Sequence, residues 1–240
     1  MKIKNFSKSK NLSKILGIQT STFIWSVALI NEEKILGEYT FDSYGRLSKI
    51  LVPSIDELLS KTGIKKEEIE GIAVAKGPGL FTGTRMGMSV AKGLSIGLDI
   101  PVVGISILDA LAFNLSYCTY PICALISSRG QDVFSALYKV SNRGFKKIEK
   151  ESVLDIQKRL KKIRKPTIFI GEAAIRYKVL IKKKLGKSAI FAPLALNYIR
   201  ASDIAFQARG KMSKAGKLSS LNLKAQYLRP GVDPIRSPAN

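Results

Sequence analysis

Histidine is absent from the 240 residues, and no other feature of the composition excludes as much chemistry. Without it there is no Ser-His-Asp or Cys-His nucleophilic system, no imidazole general base and no metal site needing a histidine ligand. Cysteine is nearly absent too. Cys118 and Cys123 have four residues between them, so they form no Cys-x-x-Cys pair, and their apolar and aromatic neighbours mark them as buried thiols of a reducing compartment. No segment reaches the roughly 18 consecutive apolar residues that span a membrane. The N-terminus has the outline of a signal peptide, a basic stretch from Lys2 to Lys14 followed by many apolar residues up to Ile30. The polar run Gln19-Thr20-Ser21-Thr22 interrupts it and no small-residue cleavage site follows, so a cytoplasmic protein is expected.

Acidic residues are scarce, 18 against 40 Lys and Arg, a net charge of +22. That balance predicts a surface basic nearly everywhere and a polyanion partner that is easily recruited. A lysine-rich genome would give the same bias without one. Apolar residues make up 45% of a chain long enough for one large domain or two modest ones.

Lys2 to Ser13 reads as a disordered basic leader. Strands are predicted at Ile15–Ile18, Phe23–Ile30 and Ile35–Phe41. A helix from Gly45 to Thr62 carries Leu47, Ile50, Leu51, Ile55, Leu58 and Leu59 at helical spacing, contains Pro53 and stops at Gly63. A short strand at Ile72–Val74, a helix from Gly83 to Leu98 and a strand at Pro101–Ile105 complete a first set. The second set is looser: strands at Ile122–Ile126, Val133–Val140 and near Phe145–Glu151, a helix at Asp155–Ile163, a strand at Thr167–Ile170 and a helix from Glu172. Ala201–Lys211 is a last helix, before an irregular tail from about Tyr227. This order is α/β with mixed sheets in two copies. The division expected is a leader (1–13), a first lobe (14–112) joined by the late helix (200–212), a second, basic lobe (113–199) and a tail (213–240).

The densest local signal is Lys76-Gly77-Pro78-Gly79-Leu80-Phe81-Thr82-Gly83-Thr84-Arg85. Strand, glycine-rich turn and helix N-terminus in succession suggest an anion site. The P-loop spacing fails, because Gly79 and Gly83 enclose three residues and Thr84-Arg85 follows. A Rossmann fingerprint would need glycine where Thr82 stands. Either the turn touches phosphate, or it is a tight connection with Thr82 as helix N-cap. Along the helix that follows, Gly83, Gly87, Ala91 and Ser95 form a stripe of small residues beside the larger Met86, Val90, Leu94 and Leu98. Glycine costs roughly 1 kcal/mol in a helix interior relative to alanine, and close helix packing is a sufficient reason for two of them. Spacing leaves open whether the neighbour is the first helix of this chain or a helix of another protein.

These segments resemble the TsaB (YeaZ) family. Ile15-Leu16-Gly17-Ile18-Gln19-Thr20-Ser21-Thr22 is similar to its opening, Leu51-Val52-Pro53-Ser54-Ile55-Asp56-Glu57-Leu58-Leu59 to its first helix, and Ala75 to Gly87 with Ala91-Lys92-Gly93-Leu94 to its most specific block. Pro101 to Ser106 and Tyr227-Leu228-Arg229-Pro230 also match. The resemblance implies an actin-like ATPase, ribonuclease-H-like fold of two related lobes. It implies a scaffold without catalysis of its own or a bound cofactor, in the synthesis of N6-threonylcarbamoyladenosine in tRNA. The partners implied are a TsaD-type catalytic subunit and, in a larger assembly, a TsaE-type ATPase. The first two long helices of the family meet equivalent helices of TsaD, which gives the small stripe a destination. The contact residues so implied are Arg46, Ser48, Pro78, Gly79, Phe81, Thr82, Gly83, Arg85, Gly87, Met88, Ala91 and Ser95. A homodimer through the same helices in isolation is a further possibility.

The chain departs from the family where metal chemistry would need carboxylates. Gln19 stands where the opening motif has aspartate, Ser127-Ser128-Arg129 where the family often has Asp-Ala-Arg, and Leu47 where a histidine is common. An amide cannot supply the negative charge that positions a metal, so an ATPase or kinase-like enzyme of the same fold is the alternative that Gln19 argues against. A third reading is direct tRNA binding. Lys139, Arg143, Lys146, Lys147 and Lys150 lead into Lys158, Arg159, Lys161, Lys162, Arg164 and Lys165, then Lys182, Lys183, Lys184 and Lys187. Of these, Lys146, Lys147, Lys161, Lys162 and Arg164 are the candidate phosphate contacts, and a solvated lysine-rich face is the plain alternative.

Overall fold

The apolar runs sort into two five-stranded sheets in the computed structural model, which describes residues 14–42, 46–141, 144–212, 215 and 219–228. The leader, Gly45, Arg143 and the tail beyond Leu228 lie outside the described residues. In chain order the first set is β1 (Ile15–Gln19), β2 (Ile24–Ile30), β3 (Ile35–Asp42), α1 (Leu47–Thr62), β4 (Gly71–Ala75), α2 (Phe81–Leu98), β5 (Val102–Ile105) and α3 (Ile107–Phe113). The second is β6 (Ile122–Ser127), β7 (Asp132–Ser141), β8 (Gly144–Asp155), α4 (Ile156–Lys162), β9 (Thr167–Ile170), α5 (Glu172–Arg176), α6 (Lys178–Leu185) and β10 (Ala189–Phe191). Helices α7 (Ala201–Met212) and α8 (Ser219–Asn222) close the described chain.

The first sheet has the order β3-β2-β1-β4-β5, with β1, β2 and β3 antiparallel and β1, β4 and β5 parallel. The second repeats it as β8-β7-β6-β9-β10 with the same directions. The central strands β1 and β4 are buried along their whole length, as strands covered on both faces must be.

Three apolar clusters give a layered arrangement. Leu51, Ile55 and Leu58 of α1 and Met88 and Ala91 of α2 pack on Leu16, Ile18 and Val74 of the first sheet. Leu108 and Leu111 of α3 and Ile204, Ala205 and Ala208 of α7 lie between the sheets, with Ala73, Ala124 and Ala136. Ile156 and Leu160 of α4, Ala173 and Ala174 of α5 and Ile181 of α6 pack on Cys123, Leu125 and Phe169 on the far side of the second sheet. Helices α1 and α2 therefore cover one end of the molecule and α4 to α6 the other. Burial pushes the Cys123 thiol up to about 11, in keeping with an inert structural cysteine.

Several expectations change. Helix α2 begins at Phe81 with extended Leu80 as its N-cap, so Thr82 is an exposed first-turn residue, not the cap. Gly63, at φ 68°, ends α1 in the left-handed conformation as its position predicted, with Ile64 N–H donating to Leu59 O at 3.2 Å. Helix α3 and strand β10 were not expected, β8 runs on to Asp155, and the helix begun at Glu172 is interrupted at Tyr177.

Candidate functional site

The turn between β1 and β2 organises one side of the site. Gln19 is fully buried. Its Nε2 donates to Thr22 Oγ1 (2.9 Å), Ile24 O (3.0 Å) and Ile199 O (3.3 Å), and its Oε1 accepts from Ser21 N–H (2.7 Å). The amide is thus a knot that ties the turn to the approach to α7. It supplies no charge, and both of its ends are engaged.

The glycine loop and α2 pack directly on this turn. Leu80 N–H donates to Ser21 O at 2.7 Å, and Thr20 Oγ1 donates to Gly83 O at 2.8 Å. A Cβ at Gly79 would stand 2.1 Å from Ser21 O, one at Gly83 2.1 Å from Thr20 O, and one at Gly87 2.1 Å from Thr20 Oγ1. These glycines exist so that a helix can lie against the chain's own backbone. Gly83, Gly87, Ala91 and Ser95 are all buried, and Ser95 Oγ donates to Ile100 O at 2.6 Å. The small stripe expected to receive a partner therefore faces β1 and β4, and Pro78 and Met88 are buried with it. The cradle that suggested a phosphate is filled by Thr20 and Ser21.

The outward side of α2 carries a second set of small residues that spacing did not single out. Ser89, Gly93 and Gly97 are exposed, also four apart, and a Cβ at Gly93 or Gly97 would meet nothing within 4 Å. Ile96 beside them is 67% exposed, and Val52 on α1 is 56% exposed. Arg46 and Ser48 are exposed near the start of α1. Between the N-terminal ends of α1 and α2 runs a groove of about 420 Å³ lined by Phe23, Leu47, Ser48, Phe81, Thr82 and Met86. Arg85 is held across its end, with Nε donating to Tyr227 Oη at 2.7 Å and the guanidinium 3.7 Å above the Phe81 ring. Thus Arg46, Ser48, Phe81 and Thr82 of the expected contacts share this surface, whereas Gly83, Gly87, Met88, Ala91 and Ser95 are interior.

A cleft of about 860 Å³ separates the sheets. Phe23, Ile24, Leu80, Phe134, Ile199 and Leu228 line it, with Arg129 and Arg176 among its polar residues. At the end of β6 the Glu172 carboxylate accepts hydrogen bonds from Ser127 N–H and from Ser127 Oγ (2.9 Å). Beside the cleft, Glu151 receives Ser106 Oγ (2.7 Å), Lys147 Nζ (2.5 Å) and Gln226 Nε2. Lys147 also pairs with Asp109 at 2.7 Å. Burial pulls the Lys147 ammonium down, but hydrogen bonds to the two carboxylates outweigh it and raise its pKa. Lys147, expected as a phosphate contact, is therefore half-buried and engaged by two carboxylates of the chain itself. Lys146, Lys161, Lys162 and Arg164 are exposed, Lys162 within 3.7 Å of Glu149.

A family model described as TsaD, tRNA N6-adenosine threonylcarbamoyltransferase, matches residues 44–226. The tRNA threonylcarbamoyladenosine biosynthesis protein TsaB of Bacillus subtilis is 30% identical over 218 residues, 90% of this chain and 93% of that protein. The chain belongs to the TsaB family. A tRNA N6-adenosine threonylcarbamoyltransferase of Porphyromonas gingivalis is 36% identical over only 110 residues, 40% of this chain and 32% of that enzyme, so the match along the full length is to TsaB. Among solved structures, YeaZ from Pseudomonas aeruginosa superimposes with a TM-score of 0.70 at 23% identity, covering 90% of this chain and all of that one. The fold is the actin-like one, two mixed sheets flanked by helices. Among the described residues no helix is long and apolar enough to cross a membrane.

Proposed function

We propose that this TsaB-family chain is a scaffold without catalysis of its own, docking on a TsaD-type subunit that forms N6-threonylcarbamoyladenosine in tRNA. The observation that carries the docking is the outward side of α2, where Gly93 and Gly97 leave the backbone open beside exposed Ile96. A partner helix can approach such a surface closely and bury the isoleucine and Val52. The groove between α1 and α2 extends the same face. A TsaE-type ATPase would join the larger assembly.

The absence of catalysis is supported by Gln19, whose amide stands where a metal-positioning carboxylate would be, and by the lack of any histidine. The glycine loop is packed by Thr20 and Ser21, so the anion site that its glycines suggested is not open. That disfavours an ATPase or kinase-like reading. The test is reconstitution. The chain alone should form no threonylcarbamoyladenosine and should raise the rate of the TsaD-type subunit when added stoichiometrically. Product formation by the chain alone would overturn the scaffold reading.

A further inference from the structure

The basic character expected over the whole surface is uneven between the two sets of elements. Residues 15–105 hold 9 Lys and Arg against 10 Asp and Glu, whereas residues 122–191 hold 18 against 5, with 13 further Lys and Arg in residues 1–14 and 200–236. We infer that the face formed by α4 and α6 binds the phosphodiester backbone of folded RNA. That the nucleic acid is RNA rests on the function proposed above. That the face binds phosphodiesters rests on its own geometry.

Neither helix contains an acidic residue, and they pack against each other on the outer side of the second sheet. Their apolar residues, Ile156, Leu160 and Ile181, turn inward. Lys158, Lys161, Lys182, Lys183 and Lys184 point outward into solvent. Attraction to helix C-termini accounts for cations in the last turns. It does not account for Lys158 and Lys178 nearer the helix starts, or for Lys187 in the connection after α6. The same sheet face continues the charge at its edge. Lys139 of β7 stands directly opposite Lys146 of β8, both exposed. Like charges paired across strands destabilise a sheet unless an anion lies over them.

The chemistry favours a nucleic-acid backbone over an anionic membrane. A membrane-surface helix sets apolar residues beside its cations. Here Val179, 83% exposed, is the one large apolar side chain that α4 and α6 expose. Lysine outnumbers arginine on the face, which suits phosphates met as point charges more than bidentate reading of base edges. Tyr177 nearby donates its hydroxyl to Gly130 O and is half-buried. Recognition is therefore of phosphate, independent of sequence and steeply dependent on salt. The face lies at the opposite end of the molecule from α1 and α2, so RNA and a docked protein do not compete for it.

The test measures binding of the full-length chain to unfractionated tRNA from low to moderate salt, with and without Lys182→Glu, Lys183→Glu and Lys184→Glu together. These side chains are exposed, so the variant folds, as circular dichroism would check. The expected result is an affinity lower by about tenfold or more and a salt slope smaller by about 2. Lys34→Glu, Lys61→Glu and Lys66→Glu, the same charge change on the other lobe, should leave binding within about twofold. Equal binding by the two triple variants overturns the inference. Binding to phosphatidylserine vesicles but not to tRNA overturns it as well, and equal affinity for duplex DNA removes the assignment to RNA. Loss of tRNA binding in the α6 variant while the TsaD-type subunit still docks separates this inference from the scaffold reading.

Discussion

Two buried polar residues tie elements together, Gln19 across 180 positions of the chain and Arg159 between α4 and the neighbouring β8. Gln19 → Glu would replace the Nε2 donor with an oxygen facing Ile24 O and Ile199 O in a site closed to water. We expect a loss of about 3 kcal/mol at neutral pH in urea unfolding, with no ATP hydrolysis gained. Arg159, fully buried, makes two hydrogen bonds to Glu149, at 2.7 and 2.9 Å. The arginine hydrogen bonds hold the Glu149 carboxyl below its ordinary range, against the opposing effect of burial. A lowered folded-state value means that the contribution is complete above the unfolded value, about pH 4.3, and is lost as pH falls through the folded one. Glu149→Gln should therefore cost about 3 kcal/mol at pH 7 by leaving Arg159 uncompensated, and should flatten the acid limb of the stability profile. A variant with the parent's acid limb would show that the pair contributes nothing. At this scale the sequence was informative about what is missing, histidine and the opening aspartate. It did not reveal that Lys147 turns inward, because Asp109 and Glu151 converge on it only once α3 packs against β8.

Helix α2 carries two small-residue stripes of the same four-residue period, and they differ in what they face. Gly83 → Ala puts a methyl group 2.1 Å from the Thr20 carbonyl and should lower stability by about 2 kcal/mol or more, since backbone on both sides must shift. Gly93→Ala meets open space and should raise stability by about 0.5–1 kcal/mol through helix propensity. Thermal unfolding of both variants checks the opposite signs. Periodicity made the stripe of Gly83, Gly87, Ala91 and Ser95 legible, but period alone carries no direction. The choice of side is made by Thr20 and Ser21, on a turn far away in sequence. Helix α3 was illegible for a related reason. Ile107, Leu108, Ala110, Leu111 and Ala112 are all buried, so an element enclosed on nearly every side shows no amphipathic period. Strands β1, β4 and β6 were read to within a residue, because they are largely apolar runs bounded by turns, whereas the end of β8 and the three-residue β10 were not.

Over the whole molecule, duplication of one sheet topology produced two ends of different character. The first sheet presents α1 and α2 with a nearly neutral balance of charge and exposed apolar residues. The second presents α4 to α6 with a large excess of cations. The cleft between them has the Gln19 amide in its β1–β2 turn and the Glu172–Ser127 contact at the end of β6, with Arg129 and Arg176 in its lining. The result is a body that can hold a protein at one end and a polyanion at the other. The measurement that bears most directly on the docking face is the dissociation constant of the complex with the TsaD-type subunit, by titration calorimetry, for the native chain and for Gly93→Leu. Gly93 faces open space, so a leucine there leaves the fold intact while propping a partner helix away. We predict weakening by about a hundredfold or more, the scale of a well-packed interface centre. An unchanged constant, or loss of binding only in Gly87→Leu, whose new side chain collides with Thr20 and perturbs the fold, would contradict the account.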